Sequence, residues 1–297
     1  MLGSKMRVLI FGASGMLGHK LYQQMKTDFE VFATTRSDFD SIGPFVIFDR
    51  SSLIENIDVL DIESVRFAIE RSKPDVVVNA VGLVKQLSES EDVFKTLSIN
   101  SVFPQRLAAL SNEFGFRLIT VSTDCVFSGD KGNYSENDIA DANDLYGISK
   151  FLGELKDENC LTIRTSIIGR ELTTSHSLVE WFLSNRGKNV KGYVNAIYSG
   201  FPTITLAKIV SDIITEHLEL NGVYHVSSDP INKFELLRLL NKYYRANAVI
   251  EPFEGFAIDR SLDSSAFRKA TGFSPVFWEQ MIEQMAADPA PYDKWKE

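Results

Sequence analysis

The segment that most constrains the fold is a short apolar run followed at once by regularly spaced glycines. Residues 6–11 (MRVLIF) are nearly all apolar, as in a strand that is buried on both faces of a sheet. Gly12, Gly15 and Gly18 come next, and residues 16–26 have the periodicity of an amphipathic helix. Strand, glycine turn and helix in this order predict the first unit of an α/β fold.

The three glycines have separate physical uses in such a turn. Gly12 allows the tight turn, Gly15 lets the backbone approach a pyrophosphate, and Gly18 lets the helix pack closely on the strand. The helix N-terminus also offers unpaired N–H groups and a positive dipole end to phosphates. A turn whose glycines serve only packing is the alternative. We predict a dinucleotide site that includes Gly12, Ser14, Gly15, Met16, Leu17 and Gly18.

The alternation of strand and helix continues along the first half of the chain. Further strands are predicted at residues 29–34, 75–80, 116–122 and 161–165, and helices at residues 62–71, at 97–113 and from residue 145. This order predicts a doubly wound parallel sheet of the Rossmann type. In such sheets the ligand lies beyond the carboxyl ends of the strands, where every motif described below falls.

The regular alternation ends after Gly169, which suggests a second structural unit. Helices are still predicted at residues 206–218 and 234–244, but the segments between them are aromatic and polar. We predict a Rossmann domain over residues 6–168, to which residues 202–226 return. Residues 169–297 are expected to form mainly a smaller, substrate-binding lobe.

The residues after the second predicted strand bear on the choice of dinucleotide. An acidic residue there would bind the adenosine ribose of NAD, but no acid occurs before Asp38. Arg36 instead suits a 2′-phosphate, which favours NADPH with NADH as the alternative, unless Arg36 is a solvated loop cation. Asp61 is expected to accept a hydrogen bond from adenine, to cap the following helix, or to do both. Ala80 and Gly82, after the strand at 75–80, are further candidate cofactor contacts.

Tyr146 and Lys150 stand four residues apart in the pattern YGISK, which places them on one face of a helix. A free tyrosine has a pKa near ~10, and a nearby ammonium group favours the phenolate and lowers that pKa. We predict that Tyr146 exchanges a proton with a substrate oxygen and that Lys150 lowers its pKa and holds the nicotinamide ribose. Thr123, at the end of a predicted strand, is placed to donate a hydrogen bond to the same oxygen.

Asn100 is unusual because asparagine is a poor residue for a helix interior. We predict that it holds a backbone carbonyl or a water molecule that relays protons to Lys150; a plain buried amide is the alternative. Asp124, directly after Thr123, is a candidate substrate contact.

Composition narrows the classes of partner and compartment. The net charge is −9 and no block of Lys or Arg occurs, which argues against a nucleic-acid partner. No apolar run reaches the roughly 18 residues of a membrane span, and the start of the chain does not resemble a secretory signal. Cys125 and Cys160 fit no metal-ligand spacing, so no metal site is predicted. We expect a cytoplasmic protein without a membrane partner.

Eight segments together resemble the extended short-chain dehydrogenase/reductase superfamily, and within it the dTDP-4-dehydrorhamnose reductases and related sugar-nucleotide reductases. The resemblance spans nearly the whole chain, and the strings STDCVF and YGISK are its most specific parts. The segments are GASGMLG (12–18), PDVVVNAVG (74–82), STDCVFSG (122–129), YGISK (146–150), LTIRTSIIG (161–169), SGFPT (199–203), GVYHVSS (222–228) and DRSLDSSAF (259–267).

The resemblance implies an NADPH-dependent reductase that acts on the C4 ketone of a dTDP- or UDP-linked 4-keto-6-deoxy-sugar. Thr123, Tyr146 and Lys150 match the catalytic residues of such enzymes. Arg260 matches an arginine that reaches the sugar nucleotide, with a surface salt bridge as the alternative. Lys85 is a candidate contact to a substrate phosphate or sugar, unless it is a solvated cation. Dimers are frequent in the superfamily, so a homodimer is one expected state.

The sequence departs from these reductases at several positions. Cys125 stands where they usually have tyrosine, and Lys20 stands where some members have an acid that binds a metal. Dehydratases of the superfamily use an Asp–Glu pair where this chain has Asp124 and Cys125, which argues against dehydration. Two other functions remain open. One is a sugar-nucleotide epimerase or epimerase-reductase. The other is a non-catalytic NADP-binding partner, like the regulatory subunit of methionine adenosyltransferase.

Overall fold

A computed structural model of the chain describes residues 5–85 and 88–296, without the side chains of residues 44, 88 and 89. The strands are β1 Arg7–Phe11, β2 Glu30–Thr34, β3 Leu53–Ile54, β4 Val76–Asn79, β5 Arg117–Thr123, β6 Cys160–Thr165, β7 Ile167–Ile168, β8 Asn189–Tyr198, β9 Phe201–Pro202, β10 Gly222–His225, β11 Ile231–Asn232 and β12 Val249–Asp259. The α-helices are α1 Gly18–Met25, α2 Phe39–Ile42, α3 Ile62–Ser72, α4 Val93–Leu97, α5 Phe103–Phe114, α6 Leu145–Leu152, α7 Leu178–Leu183, α8 Thr203–Glu216, α9 Lys233–Tyr244, α10 Ser265–Thr271 and α11 Trp278–Ala286.

The centre of the molecule is a seven-stranded sheet in the order β10-β6-β5-β4-β1-β2-β3. All of its strand pairs are parallel. From β1 the chain builds the sheet first towards β3 and then, from β4, in the other direction. The predicted Rossmann-type α/β fold is therefore confirmed, and the point at which the strand order reverses lies between β1 and β4.

The apolar strands are buried because both faces of the sheet carry a hydrophobic core. Val8 and Ile10 of β1 belong to the core on one face, whereas Leu9 and Phe11 belong to the core on the other. This alternation follows from the two-residue period of a strand. It explains why residues 6–11 read as a nearly continuous apolar run.

Helix ends follow local capping rules. The Asp61 carboxylate accepts a hydrogen bond from the Glu63 N–H (3.0 Å) and so caps α3, and Lys73, in the left-handed conformation, ends this helix before Pro74. The first helix was predicted from Met16 but begins at Gly18, because the glycine turn is longer than the periodicity suggested.

The helix predicted at residues 97–113 is part of a longer helical segment. A π-helical turn, Ser98–Val102, joins α4 to α5 without a break. Such a turn widens the helix by one residue and often marks a functional site. It contains Asn100.

The second half of the chain contributes a smaller sheet with the order β11-β8-β12, which the sequence analysis did not predict. Its long strands are irregular, since the pairing of β8 with β12 shifts between Phe253 and Ala257. β10 pairs with β6 in the main sheet, and the expected return of residues 202–226 as a whole stays a prediction. The domain boundary at residue 168 stays a prediction. None of the described helices has the length and apolar character that crossing a membrane requires.

Candidate functional site

The glycine turn lies at the carboxyl end of β1, at the point where the strand order reverses. Gly12 has a φ of +90°, which favours glycine, and an added Cβ at Gly18 would lie 1.9 Å from the Gly12 carbonyl oxygen. Leu17 provides no side-chain cap to α1, so the N–H groups of the first turn face no competing side chain. Ser14 and Gly15 are exposed beside it. This turn fits the pyrophosphate of a dinucleotide.

Asn100 fixes the loop that follows β4. Its side-chain oxygen accepts from the Leu83 N–H (2.9 Å), and its amide nitrogen donates to the Leu83 carbonyl (3.0 Å). The same nitrogen lies 3.0 Å from the Ser149 hydroxyl oxygen of α6. Asn100 therefore holds the Leu83 carbonyl, and its part in relaying protons to Lys150 stays a prediction. A Cβ added at Gly82 would lie 3.8 Å from Lys150 Nζ, so glycine lets this loop approach the lysine.

Lys150 is buried, with 8% of its surface exposed, and its Nζ donates to the Val121 carbonyl of β5 (2.7 Å). Burial disfavours the charged ammonium and lowers the pKa of Lys150 to about 8, an effect that the charge of Glu154 opposes. The residue therefore changes charge close to neutral pH.

Tyr146 lies half-buried on the same helix, with Thr123 at the end of β5 beside it. Burial raises the pKa of Tyr146, with further contributions from Cys125 and nearby acids, and the Thr123 hydroxyl opposes the shift. The expected lowering of the Tyr146 pKa is wrong for this structure, because burial dominates the shift and the Lys150 ammonium is bonded to the Val121 carbonyl instead. Tyr146 is thus held in its protonated form.

Lys85 lies at the rim of this site. Its Nζ is 2.5 Å from Asp144 Oδ2 and 5.8 Å from the centre of the Tyr146 ring. Asp144 also accepts from the Gly147 N–H (2.8 Å) and caps α6. Lys85 is therefore paired beside the tyrosine rather than a free solvated cation, and its contact with substrate stays a prediction.

Asp124 is buried directly after Thr123, and burial raises the pKa of its carboxyl group, whereas Arg260 opposes the shift. Arg260 donates from Nε to the Phe127 carbonyl (2.9 Å) and from Nη2 to the Ser128 carbonyl (3.2 Å). Its Nη1 is 3.8 Å from the Cys125 sulfur. The alternative of a surface salt bridge for Arg260 is wrong, because the guanidinium is bound by loop carbonyls and forms no ion pair with any residue in the described ranges.

The other predicted residues lie around the edge of the site. Arg36 is exposed just beyond β2 and forms no hydrogen bond or ion pair with the described part of the chain. Asp61 caps α3, which supports its structural role and leaves contact with adenine a prediction. Lys20, which replaces an acidic residue of some relatives, is buried in an ion pair with Asp288. No group of three or more His, Cys, Asp or Glu side chains in residues 5–85 and 88–296 is arranged to hold a metal.

Four residues near the site were missed by the sequence analysis: Asp144, Ser149, Tyr198 and Lys233. The position of Asp144 just before a predicted helix was a capping signal that would have identified it. Tyr198 lies on β8 and Lys233 lies on α9, and the tertiary fold places both side chains within electrostatic reach of Asp124. No local pattern indicates such a long-range approach.

Comparison with known families gives one match across most of the chain. The RmlD substrate binding domain family matches residues 6–289. The chain belongs to this family. The predicted membership of the extended short-chain dehydrogenase/reductase superfamily, on the branch similar to dTDP-4-dehydrorhamnose reductase, is confirmed.

Proteins with related sequences have different names. The spore coat polysaccharide biosynthesis protein SpsK of Bacillus subtilis is 30% identical over 76% of this chain and 74% of its own length. The dTDP-4-dehydrorhamnose reductase of Aggregatibacter actinomycetemcomitans is 25% identical over 95% of this chain and 98% of its own. Methionine adenosyltransferase 2 subunit beta of Danio rerio is 26% identical over 77% of this chain and 71% of its own.

A solved structure shares the fold of this RmlD family member. The dTDP-4-dehydrorhamnose reductase of Bacillus anthracis, in complex with NADP, superimposes with a TM-score of 0.78. The alignment covers 96% of this chain and all of the other, at 22% identity. The likeness therefore extends over both the main sheet and the smaller sheet.

Proposed function

We propose that this protein is an NADPH-dependent reductase of the C4 ketone of a dTDP- or UDP-linked 4-keto-6-deoxy-sugar. The observation that carries the proposal is the position of Tyr146. It lies next to Thr123 and one helical turn from Lys150, at the same edge of the sheet as the glycine turn. The names of the reductase relatives support the choice of substrate class.

The cofactor-binding residues form one continuous edge in this proposal. The glycine turn and the N-terminus of α1 hold the pyrophosphate, Arg36 pairs with the 2′-phosphate, and Lys150 donates to the nicotinamide ribose. NADPH supplies the hydride when bound. Asn100 acts through other groups, because its two hydrogen bonds to Leu83 position the loop that carries Gly82 against Lys150.

Tyr146 is the proton donor in this mechanism. Its raised pKa keeps the phenol protonated, and Thr123 donates a hydrogen bond to the substrate oxygen from the adjoining strand end. As the carbonyl carbon is reduced by hydride, the oxygen takes the proton of the Tyr146 hydroxyl, and the ketone becomes a secondary alcohol. The lowered pKa of Lys150 lets this lysine contribute to proton resupply near neutral pH.

The proposal is tested by NADPH oxidation with a panel of dTDP- and UDP-linked 4-keto-6-deoxy-hexoses. We expect substrate-dependent oxidation by the wild type and a loss of about 10²–10⁴-fold in kcat for Tyr146→Phe, with NADPH affinity nearly unchanged. Tyr243→Phe is the control, because the hydroxyl of Tyr243 on α9 donates to the Glu279 carboxylate of α11 (3.1 Å). Normal turnover by Tyr146→Phe would refute the mechanism.

A second candidate function is a non-catalytic NADP-binding partner. The relatives named as methionine adenosyltransferase 2 subunit beta favour it. Against it, this chain retains Thr123, Tyr146 and Lys150 in one site. Tight NADPH binding with no oxidation on any sugar of the panel would shift the assignment to this partner role.

A further inference from the structure

Lys233 is a half-buried lysine at the first position of α9. It forms no hydrogen bond or ion pair with any residue in the described ranges. Its charge nevertheless lies within electrostatic reach of Asp124, Cys125 and Arg260, beside the catalytic candidates. Burial lowers the pKa of Lys233, so its position is costly for a cation. A half-buried ammonium group without a partner calls for an explanation.

The smaller sheet explains why Lys233 lies there. Asn232 of β11 and Asp259 of β12 are both paired with Ile197 of β8, from its two sides. Lys233 and Arg260 directly follow these two residues. The strand register therefore brings both cations to one corner, at the end of β8 that lies nearest Asp124.

Tyr198 follows Ile197 and supplies an independent observation at this corner. Its side chain is 8% exposed, and its hydroxyl has no hydrogen-bond partner in the described part of the chain. Asp124 lies within electrostatic reach of this hydroxyl, and burial keeps the phenol protonated by raising its pKa. The corner thus holds a second polar group that the protein itself does not pair.

The charges at this corner indicate the class of ligand. The carboxyl group of Asp124 lies within electrostatic reach of both Lys233 and Arg260, and its burial disfavours the negatively charged form. It forms no ion pair with Lys233 or Arg260, so the positive charges are not neutralised by direct contact. A ligand that brings an oxyanion would stabilise both cations. In a sugar nucleotide with an uncharged deoxy-sugar, the diphosphate is the anionic group.

We propose that Lys233 binds an anionic oxygen of the substrate diphosphate and forms, with Arg260, a diphosphate subsite beside Asp124. The inference rests on the proposed function, since it identifies how that site holds a nucleotide sugar. It also gives the smaller sheet a direct role in binding, because β8, β11 and β12 place the two cations. Thr123 and Tyr146 bind the ketone end, and Lys233 binds the charged end.

The test is direct binding of dTDP and UDP, measured by calorimetry on the protein saturated with NADP⁺. These probes carry the diphosphate and no sugar. Lys233→Met removes the charge and keeps a similar apolar stem. We expect it to weaken binding roughly ten- to hundredfold, the usual loss for a hydrogen bond to a charged group. Lys233→Arg should restore much of the affinity, and added salt should weaken the wild type more than Lys233→Met.

Lys242→Met is the matched control, because Lys242 lies on the same helix, is exposed and pairs with Glu279 on the surface. It should bind both probes like the wild type. Thermal melting and NADPH affinity report on folding and on the cofactor site. Lys233→Met should melt no lower than the wild type, because it removes a charge whose burial is costly, and its NADPH affinity should not change. An affinity for dTDP and UDP that is the same in wild type and Lys233→Met would overturn the inference.

The failure of the inference and that of the proposed function can be told apart. If the wild type reduces a keto-sugar and Lys233→Met binds dTDP and UDP equally well, only the diphosphate subsite is refuted. If the wild type binds neither nucleotide and reduces no sugar of the panel, the proposed function fails and the subsite fails with it. A loss of affinity confined to Lys233→Met supports the subsite, and it supports both proposals when the wild type also oxidises NADPH with a sugar of the panel.

Discussion

Tyr146 and Lys150 are one helical turn apart in α6, and burial shifts their pKa values in opposite directions. The pKa of Tyr146 is raised and that of Lys150 is lowered to about 8, so each is shifted towards its uncharged form. The result is a phenol that keeps its proton and a lysine that titrates near neutral pH. A raised pKa also makes the phenol a weaker acid, so in the proposed reaction Tyr146 releases its proton only as negative charge develops on the substrate oxygen.

The buried charge of Lys150 predicts a pH dependence of stability. Because its folded pKa of about 8 lies below the ordinary 10.5, the unfolded chain binds more protons between these pH values. The cost of burying the ammonium is therefore present below pH 8 and is relieved as the pH rises towards 10.5. Lys150→Met lacks this dependence. We compare the unfolding free energies of Lys150→Met and the wild type, measured by urea unfolding. The value for the variant minus the value for the wild type should fall by roughly 2 kcal/mol between pH 7.5 and 10. Parallel pH curves for the two proteins would contradict the assignment.

At the scale of elements, two short segments shape the cofactor edge. The glycine turn brings α1 against the end of β1, and the π-helical turn directs Asn100 at the loop after β4. The glycine turn follows β1 directly, and the π-helical turn interrupts the regular α-helix between α4 and α5.

The close packing of α1 predicts the effect of adding one methyl group. In Gly18→Ala the new Cβ would meet the Gly12 carbonyl oxygen, which is backbone and cannot move without distorting the turn. We expect a loss of about 1–3 kcal/mol in unfolding free energy. NADPH affinity, measured by fluorescence titration, should fall at least about tenfold, equivalent to 1.4 kcal/mol.

Gly115→Ala is the control for this change. Gly115 ends α5 with a φ of +78°, and a Cβ there would meet no atom within 4 Å. It should cost about 1 kcal/mol through its left-handed backbone and leave NADPH affinity unchanged. Unaltered NADPH affinity in Gly18→Ala would show that the turn does not bind the cofactor.

At the scale of the whole molecule, the C-terminal segment packs back on the first helix of the chain. Asp288 forms an ion pair with Lys20, and the Tyr292 hydroxyl is 2.8 Å from His19 Nε2. Burial lowers the pKa of His19 to about 4, so this contact is made by a neutral imidazole. The last residues thereby contact the helix that follows the glycine turn.

The ion pair of Lys20 with Asp288 predicts that the tail contributes to global stability. The two side chains are only 4% and 8% exposed, so Asp288→Asn would leave a buried ammonium without its counter-ion. We expect a loss of about 3–5 kcal/mol in unfolding free energy by urea denaturation. Asp293→Asn is the comparison: its side chain is 57% exposed, so the loss should stay below about 1 kcal/mol. Equal losses in the two variants would show that burial of the pair does not matter.

Local sequence was sufficient for much of the fold. The strand, turn and helix units, the Asp61 cap and the Tyr146–Lys150 spacing depend on residues within one or two turns of each other. Hydrophobic period and glycine spacing therefore predicted the parallel sheet and the edge where the site lies. Most boundaries moved by a residue or two, as with α1, because caps and turns settle them. Two helical segments begin further from their predicted starts, at Val93 instead of residue 97 and at Thr203 instead of residue 206.

The tertiary structure decided what depends on residues far apart in the chain. It joined Lys85 to Asp144, Lys20 to Asp288, and Lys233 and Tyr198 to the surroundings of Asp124. It also reversed the expected direction of the Tyr146 pKa. The physical reason is the same in each case: burial and long-range contact determine the electrostatic surroundings of a side chain, and neither is encoded in local spacing.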